Sequence, residues 1–312
     1  MFKERFNTFK TQNPPLNDVL NFRDSKNLPT RQVKKCSINT NYKAKYGLKP
    51  LVEWEAYELI DNPGLIFIKN PFTVVGQKYW IVRSLRDYTK KPNKLNLDIH
   101  NFIPPNEDFW SYGQKDFGVI NKLRWATLGY HHNWDTKVYS EASKSEFSSD
   151  LAGLSGHVAE ALNFRGFNAE AAIVNFYHMN SRLSGHTDHS EQFLEAPLFS
   201  FSFGQTAIFL IGGESIDVKP TALFIENGDI VVMSKDSRLC YHGVPKIIHA
   251  RVNLVTNNND FELFNENEFD CDTLRYCADD RFWVPFQKYI DSSRININVR
   301  QVLKSTQTLL DF

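Results

Sequence analysis

The chain has 312 residues, with 36 basic and 36 acidic side chains, so its formal net charge is zero. That balance excludes a global electrostatic attraction to nucleic acid or to an anionic membrane, and any phosphate-binding surface has to be local. Hydrophobic residues make up 42%, ordinary for a globular protein, and the 14% aromatic content suits a β-rich core or a site that stacks flat ligands.

Residues 1–60 read as a basic helical arm broken by Pro14-Pro15 and Pro29. Phe2, Phe6 and Phe9 fall at helical spacing in a basic, amphipathic start that also carries Glu4. Lys34, Lys35, Lys43, Lys45, Lys49, Lys90, Lys91 and Lys94 make the N-terminal part locally basic, as a solvated face or a set of phosphate contacts. PGLIFIKNPF (63–72) predicts a strand closed by Pro71, and Val75, Tyr79, Val82 and Leu85 predict a helix. Residues 91–120 are polar and proline-interrupted, which predicts a long loop. Ser148, Ser149 and Asp150 offer N-caps to a helix with the apolar stripe Leu151, Leu154, Val158 and Leu162, stopped by Gly166.

From residue 171 the pattern changes to short strands. AAIVNFY, PLFSFSFG, TAIFLIGG, TALFIENGDIVVMS and RININVR are short runs rich in β-branched and aromatic residues, and Asn227-Gly228 is a hairpin signal. Strands so closely spaced predict an α+β protein, a helical N-terminal half packed on a C-terminal jelly roll, or double-stranded β-helix. The expected division is an arm over 1–60, a catalytic domain over 61–305 with its jelly-roll core at about 171–303, and a tail over 306–312. Cys36, Cys240, Cys271 and Cys277 have neither Cys-x-x-Cys nor zinc-ribbon spacing, and no signal peptide or membrane-length apolar run is visible. A reducing intracellular location is expected, nucleus and cytoplasm, with the mitochondrion as an alternative.

Two constellations carry chemistry. In RLSGHTDHSE (182–191), His186 and Asp188 are two residues apart, so on an extended segment both point to one face. His242 lies 54 residues after Asp188, just before a glycine that can turn the chain. Two imidazoles and a carboxylate on one side of an ion leave the opposite positions open, the facial arrangement of non-haem Fe(II) oxygenases. Alone, this pattern arises easily among nine histidines. RININVR (294–300) adds a strand on which Arg294, Asn296, Asn298 and Arg300 alternate with apolar residues. Two inward arginines are costly unless anions neutralise them, and a dicarboxylate such as 2-oxoglutarate together with Asp188 would supply those anions. An edge strand with its arginines in water is the other reading.

With both in hand, the chain resembles the AlkB family of Fe(II)- and 2-oxoglutarate-dependent nucleic-acid dioxygenases, in particular the branch of AlkB homologue 1. The matching segments are KLRWATLGYHHNWD, NFYHMNSRLSGHTDHSE, PLFSFSFGQTAIFLIGG, GDIVVMSKDSRLCYHGVP and RININVRQVL, and the likeness covers most of residues 45–305. The resemblance implies Fe(II) held by His186, Asp188 and His242, with 2-oxoglutarate and O₂ as co-substrates. It implies that Arg294 pairs with the distal carboxylate of 2-oxoglutarate, that Arg300 lies near its 1-carboxylate and Asp188, and that Asn175, Tyr177 and Asn296 complete the pocket. Arg251 and Asn253 in RVNLVTN offer a second Arg-x-Asn, set aside because Asn257 stands where a second Arg is needed. The chain departs from bacterial members at Ser190-Glu191, where they carry Asp-Glu, so their base specificity does not transfer.

The resemblance further implies oxidative demethylation of bases in nucleic acid, tRNA or DNA, by a monomer without membrane attachment. A target base has to leave its stack to reach a buried metal. Tyr130, Trp134 and Tyr139 on a lid over 128–140, with Glu191 and Arg238, are the candidate substrate contacts, whereas Trp125 reads as core. The rival readings are a 2-oxoglutarate oxygenase acting on protein, histones included, and a metal-independent lyase using a lysine amine at abasic sites.

Overall fold

The computed structural model describes residues 1–24, 28–100, 102–250 and 269–310. In chain order they form α1 (Phe2–Phe9), β1 (Val33–Lys35), β2 (Glu55–Leu59), β3 (Leu65–Lys69), α2 (Val74–Val82), β4 (Lys94–Leu95), α3 (Phe109–Lys115), α4 (Phe117–Ile120), β5 (Trp125–Gly129) and α5 (Ser149–Ala161). There follow β6 (Ala171–His178), β7 (Leu183–His186), β8 (Leu198–Gly204), β9 (Thr206–Ile211), β10 (Thr221–Ile225), β11 (Ile230–Met233), β12 (His242–Ile248), α6 (Cys271–Ala278), α7 (Asp280–Ile290) and β13 (Ser293–Arg300).

The strands make a nine-stranded sheet, β1-β2-β3-β11-β8-β13-β6-β5-β4, and a four-stranded sheet, β10-β9-β12-β7. The period-two pattern decides how they stack. On β8, Phe199, Phe201 and Phe203 join Ile295, Ile297 and Val299 of β13 in one apolar cluster with Leu151, Leu154 and Val158 of α5 and Trp283 and Phe286 of α7. The opposite face of the large sheet presents Tyr177, Leu198, Val231 and Met233 to Ala207, Ile211, Leu223 and Val244 of the small sheet. The resulting antiparallel two-sheet core with helices on one face is the jelly-roll architecture expected.

Several expectations need correction. Residues 1–60 are not a purely helical arm, because β1 and β2 extend the large sheet through β3. Among the described residues there, only Phe2–Phe9 (α1) is α-helical, and it packs Phe2 and Phe9 against Ile208, Leu210 and Phe224 on the outer face of the small sheet. Residues 91–120 are not one loop, since they hold β4, α3 and α4, with Asp108 and Asp116 capping the two helices. Asn227-Gly228 does make a turn, with Gly228 at φ +82°. It joins no hairpin: β10 pairs with β9, whereas β11 pairs with β3 and β8, so the turn carries the chain between sheets. The helix α5 begins where expected but ends at Ala161, before Gly166. Asp150 there is not a cap; it receives hydrogen bonds from Tyr79 (2.7 Å) and Arg83 (2.8 Å) and ties α5 to the end of α2.

The N-terminal helix bears on the strands behind the site. The Phe2 ring fills a slot floored by Gly185 and Gly212, where an added Cβ would stand 2.6 and 3.1 Å from it. Its backbone N–H donates to the Ile216 carbonyl at 3.2 Å. Phe2→Ala is expected to lower the unfolding free energy by about 3 kcal/mol, the low end for truncating a buried phenylalanine, as read by urea denaturation. An unchanged midpoint would show that α1 contributes nothing to the sheet it covers.

Candidate active site

Neighbouring strands bring the metal-type side chains together. His186 ends β7 and His242 begins β12, and the two residues face each other across the strand pair. The backbones must come close there: a Cβ on Gly243 would lie 2.9 Å from the Leu183 carbonyl oxygen, so Gly243 permits the approach rather than turning the chain. Asp188 lies just past the end of β7. One ligand atom from each of the three residues fits within 4.8 Å of the others. His186 Nε2 is 3.9 Å from Asp188 Oδ1, and His242 Nε2 is 3.7 Å from Oδ2. The other ring nitrogens face backbone carbonyls, His186 Nδ1 that of Ser184 (2.9 Å) and His242 Nδ1 that of Cys240 (3.1 Å). With Nδ1–H donating to a carbonyl, Nε2 of each ring keeps its lone pair for a metal.

Charge organises the surroundings. Burial works to raise the Asp188 carboxyl, but Arg300 above all, then the two histidines and Arg238, hold it far below the usual carboxylate range. Burial, with His186 beside it, lowers His242 to about 4, which leaves it neutral near pH 7. Arg300 donates to Asp188 Oδ2 at 3.0 Å and pairs with Glu191 at 3.2 Å. Arg238 donates to Glu191 at 2.8 Å, to the Asp188 carbonyl at 2.6 Å and to the Ala196 carbonyl at 3.1 Å.

A cleft between the sheets runs from His186, Asp188 and His242 to Tyr177, Arg294, Asn296 and Asn298. Arg294 is only 3% exposed, and its partners are neutral: Ser202 Oγ (2.8 Å) and the carbonyls of Ile225 (3.2 Å) and Gln205 (3.3 Å). Its Nε has no hydrogen-bond partner, and burial lowers its pKa to about 10. A buried guanidinium with an unsatisfied donor, facing a cleft with a two-histidine, one-carboxylate group at its mouth, fits one end of a dicarboxylate bound at a metal. Asn175 is on the same face of the sheet but one strand out, in register with Asn296 on one side and Trp125 on the other.

The expected substrate contacts divide. Trp134 is exposed, at 45%. Tyr130 is not available as a lid residue: it is buried with Val302 and Leu303, and its hydroxyl meets Glu141 (2.5 Å) and Lys144 (2.8 Å). Tyr139 is buried and donates to Glu191 at 3.1 Å. Glu191 and Arg238 are buried as well, an ion pair behind Asp188 rather than an exposed contact. Trp125, read as core, is half-buried and stands against Trp134, ring centres 5.2 Å apart. Ser200 and Ser202 also belong to the site, and the Phe-Ser alternation of β8 is the sequence signal for them: Ser202 binds Arg294 and Ser200 accepts from Asn296 at 2.7 Å. Arg251 and Asn253 lie outside the described residues.

Residues 64–300 match the family model described as the 2OG-Fe(II) oxygenase superfamily. The chain is 39% identical over 283 residues to the "Nucleic acid dioxygenase ALKBH1" of Mus musculus, covering 87% of this chain and 72% of that protein. It is 33% identical over 292 residues to the "tRNA demethylase abh1" of Schizosaccharomyces pombe, covering 86% and 89%. Against the "DNA N(6)-methyladenine demethylase ALKBH1A" of Arabidopsis thaliana it is 32% identical over 282 residues, covering 78% and 76%. Among solved structures, that described as "The structure of OsALKBH1" matches with a TM-score of 0.51 at 19% identity, over 77% of this chain and 97% of the other, a likeness of fold. The chain therefore belongs to the 2OG-Fe(II) oxygenase superfamily and, within it, to the AlkB family, and is a dioxygenase that uses Fe(II), 2-oxoglutarate and O₂.

Glu191 is the sole carboxylate that Arg238 reaches through a described ion pair, and it also serves Arg300. Glu191→Ala would leave Arg238 buried without that anion. It should cost about 3–5 kcal/mol of stability, the range for breaking one side of a buried pair, measured by denaturant unfolding. A loss below 1 kcal/mol would mean that water replaces the carboxylate and that the pair is not structural.

Proposed function

We propose that this enzyme removes methyl groups from the nitrogens of nucleic-acid bases, tRNA first and DNA second, in unpaired or flipped context, and that His186, Asp188 and His242 hold its iron. The observation that carries the substrate reading is likeness over most of the chain to proteins whose names specify nucleic acid, tRNA or DNA. When bound, iron and 2-oxoglutarate supply with O₂ an oxidation that converts the co-substrate to succinate and CO₂ and inserts an oxygen atom into a substrate C–H bond. On an N-methyl group the product is a hemiaminal, which releases formaldehyde and the bare base.

The chain's own residues bind and orient. Arg294 pairs with the distal carboxylate of 2-oxoglutarate in the position its neutral partners leave for an anion. Tyr177, its hydroxyl kept protonated by burial that pushes it up to about 12, and Asn296 flank that carboxylate, with Asn175 beside them. Arg300 keeps Asp188 ionised and aimed, and Arg238 and Glu191 fix the backbone that carries it. No lysine lines the cleft among the described residues, so a lysine-amine lyase has no nucleophile in it. The protein-oxygenase reading has no comparable support in the relatives' names.

Asp188→Ala should abolish both demethylation and 2-oxoglutarate decarboxylation while the protein remains folded by circular dichroism. Decarboxylation at the wild-type rate in that variant would remove Asp188 from the metal. Arg294→Leu should weaken binding of the inert analogue N-oxalylglycine by about 2–5 kcal/mol, read by calorimetry. Unchanged affinity there, with a loss in Arg251→Leu, would move the carboxylate site to the other Arg-x-Asn.

A further inference from the structure

The large sheet has nine strands and the small sheet four, so strands do not roof the whole concave face. From the large sheet the cleft takes its lining from β6, β13, β8 and β11, and β5 and β4 lie beyond it. Residues directly opposite in paired strands share a face, so Trp125, in register with Asn175 and through it with Asn296, points to the cleft side. Thr127 and its partner Lys94 do the same. Ala126 and Leu128 turn the other way, into the helix-side core.

The loop over 131–139 lies against this overhang. His131 Nδ1 shares a hydrogen bond with Thr127 Oγ1 at 2.8 Å, which pins the loop to the sheet. Trp134 then stands over Trp125, with the rings inclined at 42°. His132 lies 4.7 Å from Trp134 and 5.5 Å from Tyr139 between ring centres, and Tyr139 reaches Glu191 behind the metal ligands. An aromatic path thus connects the two indoles to the buried Glu191 beside Asp188. Cations rim it: Lys94 donates to Ser143 at 2.8 Å, Lys137 is exposed on the loop, and Lys144 sits 4.1 Å above the Tyr130 ring.

We propose that Trp125 and Trp134 form a stacking platform for an unpaired nucleotide next to the target base, with Lys94 and Lys137 meeting its phosphates. This rests on the nucleic-acid reading above. Two flat indoles that leave one ring exposed, with ammonium groups at the rim, match a base with its phosphates. The occupant is not the oxidised base itself. Trp125 is two strands from Asn296, roughly 10 Å across the sheet, and lies outside the lining of the cleft that holds the two histidines and Asp188. The platform would therefore act on which flanking context is accepted, not on the chemical step.

The test is fluorescence anisotropy of an unmethylated oligodeoxythymidine with the full-length protein, alongside demethylation of a methylated single strand. Trp125→Leu should weaken oligodeoxythymidine binding about tenfold, and Trp125→Phe should keep most of the affinity because a ring still stacks. Lys94→Ala should lower the salt dependence by about one phosphate contact. Should Trp125→Leu fail to fold, Trp134→Ala on the exposed loop reports the same tenfold loss. The platform is overturned if both tryptophan variants bind like the wild type while demethylation persists, or if Trp125→Phe binds as weakly as Trp125→Leu. A wild-type protein that neither binds nor demethylates any strand would overturn the nucleic-acid reading itself, and the platform with it.

Discussion

Two guanidinium groups enter the space between the sheets because β13 alternates, and that alternation cannot be relaxed. Ile295, Ile297 and Val299 occupy the core with the helices, so Arg294, Asn296 and Arg300 face the other way. A charge taken out of water costs several kcal/mol unless it is paired and its donors are satisfied. Arg300 meets that requirement through Asp188 and Glu191. The segment after β7 therefore has to descend onto the end of β13, and this brings Asp188 opposite His186 and His242. The metal-type triad is in this sense a consequence of neutralising Arg300.

Arg294 is the contrast. It is as buried as Arg300, at 3%, yet it is held only by a hydroxyl and two carbonyls and keeps an unsatisfied Nε. The fold tolerates this cost at one end of the cleft while the other end is fully paired. An anion arriving there would recover the missing electrostatic interaction, and whatever binds the folded state alone stabilises it by mass action. The two arginines of one strand thus do opposite things, one completing the resting structure and the other leaving it ready for a carboxylate.

The N-terminal residues share in this arrangement from outside. The helix α1 seals the outer face of the small sheet, directly behind β7 and β12, while β1 and β2 lengthen the large sheet at its far edge. Lys34 and Lys35 sit on that edge and Lys94 on the opposite one, eight strand spacings apart, or roughly 38 Å along the sheet. A run of lysines that looks continuous in sequence is divided between two ends of the molecule, and Lys34 is engaged with Glu58 at 2.9 Å. The Lys94 edge is the one beside Trp125.

What the sequence by itself determined is what repeats locally. Short runs of β-branched and aromatic residues wrote β6, β8, β9, β10, β11 and β13 into the chain, and apolar spacing at helical period wrote α2 and α5. The polar face of β13 and the His-x-Asp pair were legible for the same reason: each needs only neighbouring residues to be recognised. Tertiary structure alone decided the rest. The strand β7 has only four residues, and both β7 and β12 hold histidine and glycine, β12 a proline as well, so local preference does not announce them; they exist because each has a partner to pair with. Whether Asn227-Gly228 closes a hairpin or crosses between sheets depends on which strands β10 and β11 choose, a non-local matter. Glu191, Arg238 and Tyr139 read as substrate contacts from their places beside the His-x-Asp pair, beside His242 and on the expected lid, yet mutual pairing let all three be buried. Trp125 read as core because an aromatic on a strand usually is; the large sheet outruns the small one, and so its indole remains half in water.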